Sequence, residues 1–394
     1  MRLHLAAAVA FCLLPTVLQA QDEGKPSVEV YGFVMTDAGY QFKQNDPLWF
    51  DVLRPTKLPA FENQFGADGN VYFSVRQTRF GARATIPTGL GDIKTTFEFE
   101  LFGTGVDAGQ TTFRLRHAYG ELGRFGAGQT WSPFMDIDVF PNSVEYWGPN
   151  GMVFFRNVQV RWMPIQGDSR LTFALERPGA SGDQGVYADR IELQDVVPHF
   201  PLPDLSAEYR RAFSWGYLEL AGIVRWIEWE DQGNQPLDLS GDATGWGVNL
   251  TTNIKLGSSN TFRGGVVYGE GVQNYMNDAP ADVGIEPTPG EPVPIKGVAL
   301  PLLGITAFLD HAWNSKFSTA IGYSMMDIDN SAGQTPSAFK KGQYALGNLL
   351  YTPASGLTTG VEFQWGDREN FSDGFSSDDF RIQFSFKYAY SKVF

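Results

Sequence analysis

The chain has 394 residues and a formal net charge of −14, from 30 Lys and Arg against 44 Asp and Glu. That balance argues against general nucleic-acid binding, which needs a basic footprint. The one cysteine, Cys12, sits in the N-terminal apolar run, so the rest of the chain has no thiol chemistry, disulfide scaffold or Cys-based metal site.

Residues 1–20 read as a secretory signal peptide. Arg2 is followed by an apolar run from Leu5 to Leu14, too short to span a bilayer, then Pro15, with Ala20 before the expected cut at Gln21. Ala10-Phe11 before Cys12 does not fit a lipoprotein anchor. Cleavage removes one Arg and no acid, so residues 21–394 are more acidic still. No second run of about 18 apolar residues follows, which excludes a helical membrane protein. Glycine and aromatic residues are spread from end to end with no linker between two compositions. Residues 21–394 therefore read as one all-β unit, and their length suits a transmembrane antiparallel β-barrel of about 16 strands.

Candidate strands lie at 28–40, 72–87, 92–103, 111–122, 124–131, 152–163, 169–177 and 204–213. They continue at 216–229, 245–256, 261–272, 298–312, 316–328, 342–353, 355–367 and 378–394. Most alternate with period two, as strands with two different faces must. Residues 92–103 set Ile93, Phe97, Phe99 and Leu101 against Lys94, Glu98 and Glu100. Residues 245–256 set Trp246, Val248 and Leu250 against Asn249, Thr251 and Asn253, and 355–367 set Val361, Phe363 and Trp365 against Glu362 and Gln364. A charge facing hydrocarbon is expensive, so the apolar set is expected to meet lipid and the polar set an aqueous interior. The connections alternate between tight, as at Thr88-Gly89-Leu90-Gly91 or Gly123, and long, as at 41–71, 132–151, 178–203 and 273–297. This predicts short periplasmic turns, long external loops and both termini on the periplasmic side. The last strand carries Phe380, Ile382, Phe384, Phe386, Tyr388 and Tyr390 on one face and ends at Phe394. Phe394, Tyr390 and Tyr388 form the expected signal for the barrel-assembly machinery. Two strands resist this reading. Residues 298–312 are interrupted by Pro301 and Gly304 and are apolar on both faces, and 28–40 is nearly so; a trimer seam or a different register would account for either.

Carrying the inward parity around the wall gives Arg79, Arg83, Lys94, Arg114, Arg116, Arg161, Arg225, Lys255, Arg263, Arg381 and Lys387 as lumen cations. The inward acids are fewer, chiefly Glu98, Glu100, Glu219 and Glu362. Fixed cations in a confined lumen favour anions, although the same residues could simply pair with the inward acids. Loop 132–151 holds Phe134, Met135, Ile137, Val139, Phe140, Tyr146 and Trp147, too many apolar residues for a segment loose in water. Folded into the lumen, it would bury them and bring Asp136, Asp138 and Glu145 opposite the basic strands as a constriction. The alternative is an external loop packed on its neighbours or on another subunit.

Arg76-Gln77-Thr78-Arg79-Phe80-Gly81, Pro87-Thr88-Gly89-Leu90-Gly91-Asp92, Phe113-Arg114-Leu115-Arg116-His117-Ala118-Tyr119-Gly120-Glu121 and Gly128-Gln129-Thr130-Trp131-Ser132 together resemble the DcaP-like porins of Gram-negative outer membranes. The resemblance implies a sixteen-strand homotrimeric porin with its third external loop folded inward and a preference for small anions such as dicarboxylates. It carries over Arg79, Arg114, Arg116 and loop 132–151 as pore elements. Some members have an N-terminal extension expected to form a coiled coil; here only Gln21 to Ser27 precedes the first strand, so trimer contacts are expected from the barrel walls. Partners implied are outer-membrane lipid and lipopolysaccharide, the assembly machinery and small anionic solutes, with no nucleic acid and no cofactor.

Other function classes find little support. His117 falls at the parity opposite Arg116, His199 in a Pro-rich loop and His311 near a tight turn, with no Gly-x-Ser-x-Gly and no metal-ligand spacing. Asp136 and Asp138 read as eyelet acids rather than Ca²⁺ ligands. An active transporter would need a plug domain that seven residues cannot supply. A non-conducting receptor or adhesin acting through the external loops remains the alternative to passive diffusion.

Overall fold

A sheet whose strands each carry one oily and one polar side can close around the polar side when lipid covers the other. The computed structural model describes residues 24–179, 190–233 and 236–394, and its main sheet closes in this way. Residues 1–20, expected as a signal peptide, and residues 180–189 of loop 178–203 lie outside the described residues. In chain order the strands are β1 Ser27–Gln41, β2 Asn70–Ser74, β3 Arg79–Ile86, β4 Ile93–Phe102, β5 Thr111–Leu122, β6 Phe125–Trp131 and β7 Arg156–Ile165. Next come β8 Arg170–Glu176, β9 Val196–His199, β10 Asp204–Phe213, β11 Gly216–Asp231, β12 Gly241–Leu256 and β13 Asn260–Glu270. The last are β14 Val283–Pro287, β15 Ile295–Ala299, β16 Pro301–Ala312, β17 Phe317–Ile328, β18 Phe339–Ala354, β19 Leu357–Asn370 and β20 Ser376–Val393.

These make a closed antiparallel barrel of sixteen strands. β2 and β3 both pair with β1 and act as one wall strand. Residues 75–78 interrupt it, and there the Thr78 hydroxyl accepts from Met35 N at 3.2 Å in place of a ladder bond. β9 only extends the edge beside β11, and β14–β15 is a separate external hairpin. The terminal strand closes the ring by pairing with β1 from Glu29↔Val393 to Gln41↔Arg381, and Phe394 N donates to Val28 O at 2.8 Å. Tight turns such as 123–124 and 257–259 use glycine where φ is positive, at Gly123 (59°) and Gly257 (74°). Phe97, Val248, Leu250, Phe363, Phe384, Phe386 and Tyr388 are exposed on the outside, while Glu98, Glu100, Glu362 and Gln364 are buried inside.

The two ambiguous strands are apolar inside because they carry folded-in loops. On β1, Met35 and Phe33 pack against Val144 of loop 132–151. On β16, Leu302 joins the cluster holding Phe134 and Met135, and Phe308 packs with Leu53 and Leu58 of loop 41–71. A Cβ at Gly304 would collide with the Gly151 carbonyl, so glycine there lets the loop rest on the wall.

One placement differs from the sequence parity. β4 pairs Glu98 with His117 and Phe99 with Leu115, leaving Arg116 as the extra residue of a β-bulge. A bulge turns two successive side chains toward one side. Arg116 and His117 are therefore both buried inside, and the His117 ring nitrogen Nδ1 lies 3.0 Å from the Thr130 hydroxyl.

Candidate functional site

Three strands and the bulge of a fourth gather charge at one level of the wall. Glu98 and Glu100, two apart on β4, face the same way. Arg116 of β5 spans both, with Nε 2.7 Å from Glu98 and Nη1 2.5 Å from Glu100. Arg79 of β3 lies 3.6 and 3.4 Å from the two carboxylates. Arg114 of β5 and Arg156 of β7 approach Glu100 at 3.6 and 3.7 Å. Tyr31 donates to Glu98 at 2.8 Å, and Tyr146 of loop 132–151 donates to Glu100. Four guanidiniums thus face two carboxylates, and the cluster keeps a positive excess. Buried acids held this way are fixed in position, because each carboxylate oxygen has a donor.

Loop 132–151 crosses from this wall to the opposite one. Its Asp136 accepts from Arg210 of β10 at 2.6 Å, from Tyr217 at 2.6 Å and from Thr251 at 2.7 Å. Asp138 meets the same guanidinium at 2.5 Å. Farther along, Ser143 Oγ and Val144 N donate to Glu362 of β19 at 2.9 and 3.1 Å, and Asn348 donates to Asn142 O at 2.8 Å. Gly151 N donates to Ser324 of β17 at 2.8 Å. Glu145 takes a different part: it accepts from Leu53 N at 3.1 Å and from Gly148 N, tying loop 132–151 to loop 41–71.

Two cavities of about 640 Å³ each adjoin the crossing loop. The outer one lies among the external loops and is lined by Arg54, Lys57, Arg114, Arg156, Arg190 and Arg368, against Asp46 and Glu192. Its aromatic lining includes Trp49 and Trp147, an edge-to-face pair that holds the Arg54 guanidinium 4.1 and 4.0 Å from the two ring centroids. Arg54 also meets Asp278 at 2.9 Å. Burial raises the Glu192 carboxyl above its usual range, a shift that the hydrogen bond from Gln334 opposes. The inner cavity opens toward the short turns, and Lys94, Arg161 and Arg170 share it with Asp92, Glu121, Asp138 and Glu208.

Eight of the cations expected on the wall from the sequence fall into four groups. Arg79, Arg114 and Arg116 join the glutamate cluster, while Lys94 and Arg161 line the inner cavity. Arg83 is more than half exposed, 3.5 Å from Glu29 near the periplasmic rim. Arg225 and Arg381 meet no open water. Arg225 is buried between Asp204 at 3.1 Å and Asp282 at 3.2 Å, where it fastens loop 273–297. Arg381 is buried beneath loop 41–71, donating to Asp51 O at 2.9 Å and Tyr72 at 2.7 Å. Sequence reasoning missed Arg210, Arg156, Arg368, Arg54 and Arg190. Arg210 shares the parity of Glu208 on β10, and Arg368 continues the Glu362, Gln364 face of β19, so stricter period-two counting finds both. Arg54 and Arg190 sit in loops, where no periodicity marks them. Among the described residues no cluster of His, Cys, Asp and Glu could hold a metal ion.

Residues 19–193 match the family described as DcaP outer membrane protein. No curated relative matches the chain. Among solved structures, the outer membrane channel DcaP of Acinetobacter baumannii is similar with a TM-score of 0.75 and 21% identity, over 94% of this chain and 100% of that one. The anion-selective porin from Comamonas acidovorans follows the same path with a TM-score of 0.57 and 12% identity, over 93% and 100%. Salmonella typhi OmpF gives 0.55 and 10%, over 92% and 97%. At such identities the likeness to these structures is one of fold.

Proposed function

We propose that this chain, a DcaP-like outer-membrane porin, works by passive diffusion through its water-filled lumen and favours small anions, dicarboxylates among them. One observation carries the reading: six cations and two acids line the outer cavity that a solute meets before the crossing loop. Fixed positive charge in a confined, low-dielectric mouth concentrates anions and repels cations. The chain's negative net charge does not oppose this, because many of the acids sit in external loops or lie behind the cations they pair with. Asp278 behind Arg54 and Glu100 behind Arg156 are examples. Cations on separate walls of one cavity suit a solute with two negative groups. Arg156 comes from the barrel wall, whereas Arg54 and Arg190 come from external loops.

The same reading includes a homotrimer embedded in outer-membrane lipid and lipopolysaccharide, supported by the family resemblance and by the apolar outer faces of the strands. Loop 132–151 would set the size limit, with Asp136 and Asp138 held on Arg210.

The test is the zero-current potential of the purified protein in a planar bilayer across a KCl gradient. Anion selectivity is the expected result, with dicarboxylates competing for the current. Cation selectivity would refute the anion assignment, and absence of any conductance would refute the channel itself.

A further inference from the structure

The outer and inner cavities are lined by side chains that pack against one another. Trp131, the last residue of β6, lines the inner cavity; its register partner Arg156, the first residue of β7, lines the outer. The Arg156 guanidinium sits 4.9 Å from the Trp131 ring centroid, and that of Arg116 sits 5.4 Å away. The indole is braced edge-on by His117 at 5.0 Å and by Phe154, an outer-cavity residue, at 5.2 Å. Beside it the pattern repeats: Met135 lines the inner cavity and Phe155 the outer, with Phe155 N donating to the Met135 sulfur at 3.1 Å.

The geometry points to Trp131 as the aperture of the channel, with Arg156 above it and Arg161 below it as successive holds for a passing anion. Two polar groups support the ordering. Arg156 is 7% exposed, yet its Nη1 makes no hydrogen bond among the described residues. A buried guanidinium N–H without a partner is a costly feature that an anion in the outer cavity would relieve. On the other side, Arg161 donates from Nη2 to the Trp131 backbone carbonyl at 2.6 Å, which ties its charge to that residue on the inner-cavity side. The size limit that loop 132–151 sets then has an aromatic edge, supplied by the wall at Trp131. Of the loop acids, Asp136 is engaged by Arg210 of β10, and Asp138 lines the inner cavity.

This inference rests on the channel reading, and the experiment separates the two. Single-channel conductance and the size limit for graded anionic solutes are compared in wild type, Trp131→Ala, Trp131→Phe and Arg156→Gln. Removing the indole is expected to raise conductance about twofold or more and admit larger anions, with the anion-to-cation ratio kept. Trp131→Phe, which conserves packing, should fall between wild type and Trp131→Ala and serves if the alanine variant does not fold. Arg156→Gln should lower anion preference without widening the size limit. A conducting wild type whose Trp131 variants keep its conductance and size limit would overturn the aperture assignment and leave the porin intact. A non-conducting wild type would overturn the channel reading.

Discussion

Replacing Arg210 with Ala asks what holds loop 132–151 inside the barrel. Arg210 is buried, and its three guanidinium nitrogens meet Glu219 at 2.5 Å, Asp138 at 2.5 Å and Asp136 at 2.6 Å. Without it, Glu219 keeps Arg170 at 2.8 Å, and Asp138 is already half in water. Asp136 is different: it is 1% exposed and would lose its cation, keeping the hydroxyls of Tyr217 and Thr251 and the Asp138 N–H at 3.0 Å. Leaving one member of a buried ion pair without its partner costs about 3–5 kcal/mol. The β10 backbone ladder to β8 and β11 does not depend on the side chain, so the strain falls on the loop. A bias of about 3 kcal/mol shifts a loop-in to loop-out equilibrium by about a hundredfold. Arg210→Ala should therefore show noisier and higher single-channel conductance, and the loop should become cleavable by protease within 132–151. Adding Asp136→Asn removes the unpaired charge and should restore a quiet, protected channel. An Arg210→Ala protein as quiet and as resistant as wild type would refute the ion-pair account, as would a double variant no better than the single one.

Two further outcomes follow from the same geometry. The folded-state pKa of Glu192 is raised by burial, so the folded protein holds that proton longer than the unfolded chain does. The linked stability is greatest below the unfolded carboxyl pKa and is lost as pH rises through the raised one. The outer cavity gains a negative charge over that window, so anion preference should decline there in wild type and stay flat in Glu192→Gln, as read from zero-current potentials. At Gly304 a valine would push the Gly151 carbonyl off the wall. Gly304→Val should leave strand content unchanged by circular dichroism while raising conductance and exposing loop 132–151 to protease; an unaltered loop would contradict the close approach.

The barrel was legible because lipid imposes a rule on every strand. The alternation of Phe97, Phe99 and Leu101 with Glu98 and Glu100 repeats with local changes around the ring, and the aromatic face of the terminal strand needs no distant information. Candidate 204–213 coincides with β10 and 111–122 with β5, since tight turns end a strand at a nearby residue. The family resemblance was likewise carried by local motifs. What alternation cannot reach is anything decided by a partner far along the chain. β1 and β16 broke the rule because their inner faces meet loops 132–151 and 41–71, contacts that only closure of the barrel creates. Arg381 and Arg225 shared the parity of pore cations, yet tertiary packing buried both beneath loops. His117 was misplaced because the bulge depends on how β4 and β5 pair. The sequence by itself determined the wall and its two faces; the tertiary structure alone decided which charges meet water, because a loop's destination depends on surfaces that exist only after the ring has closed.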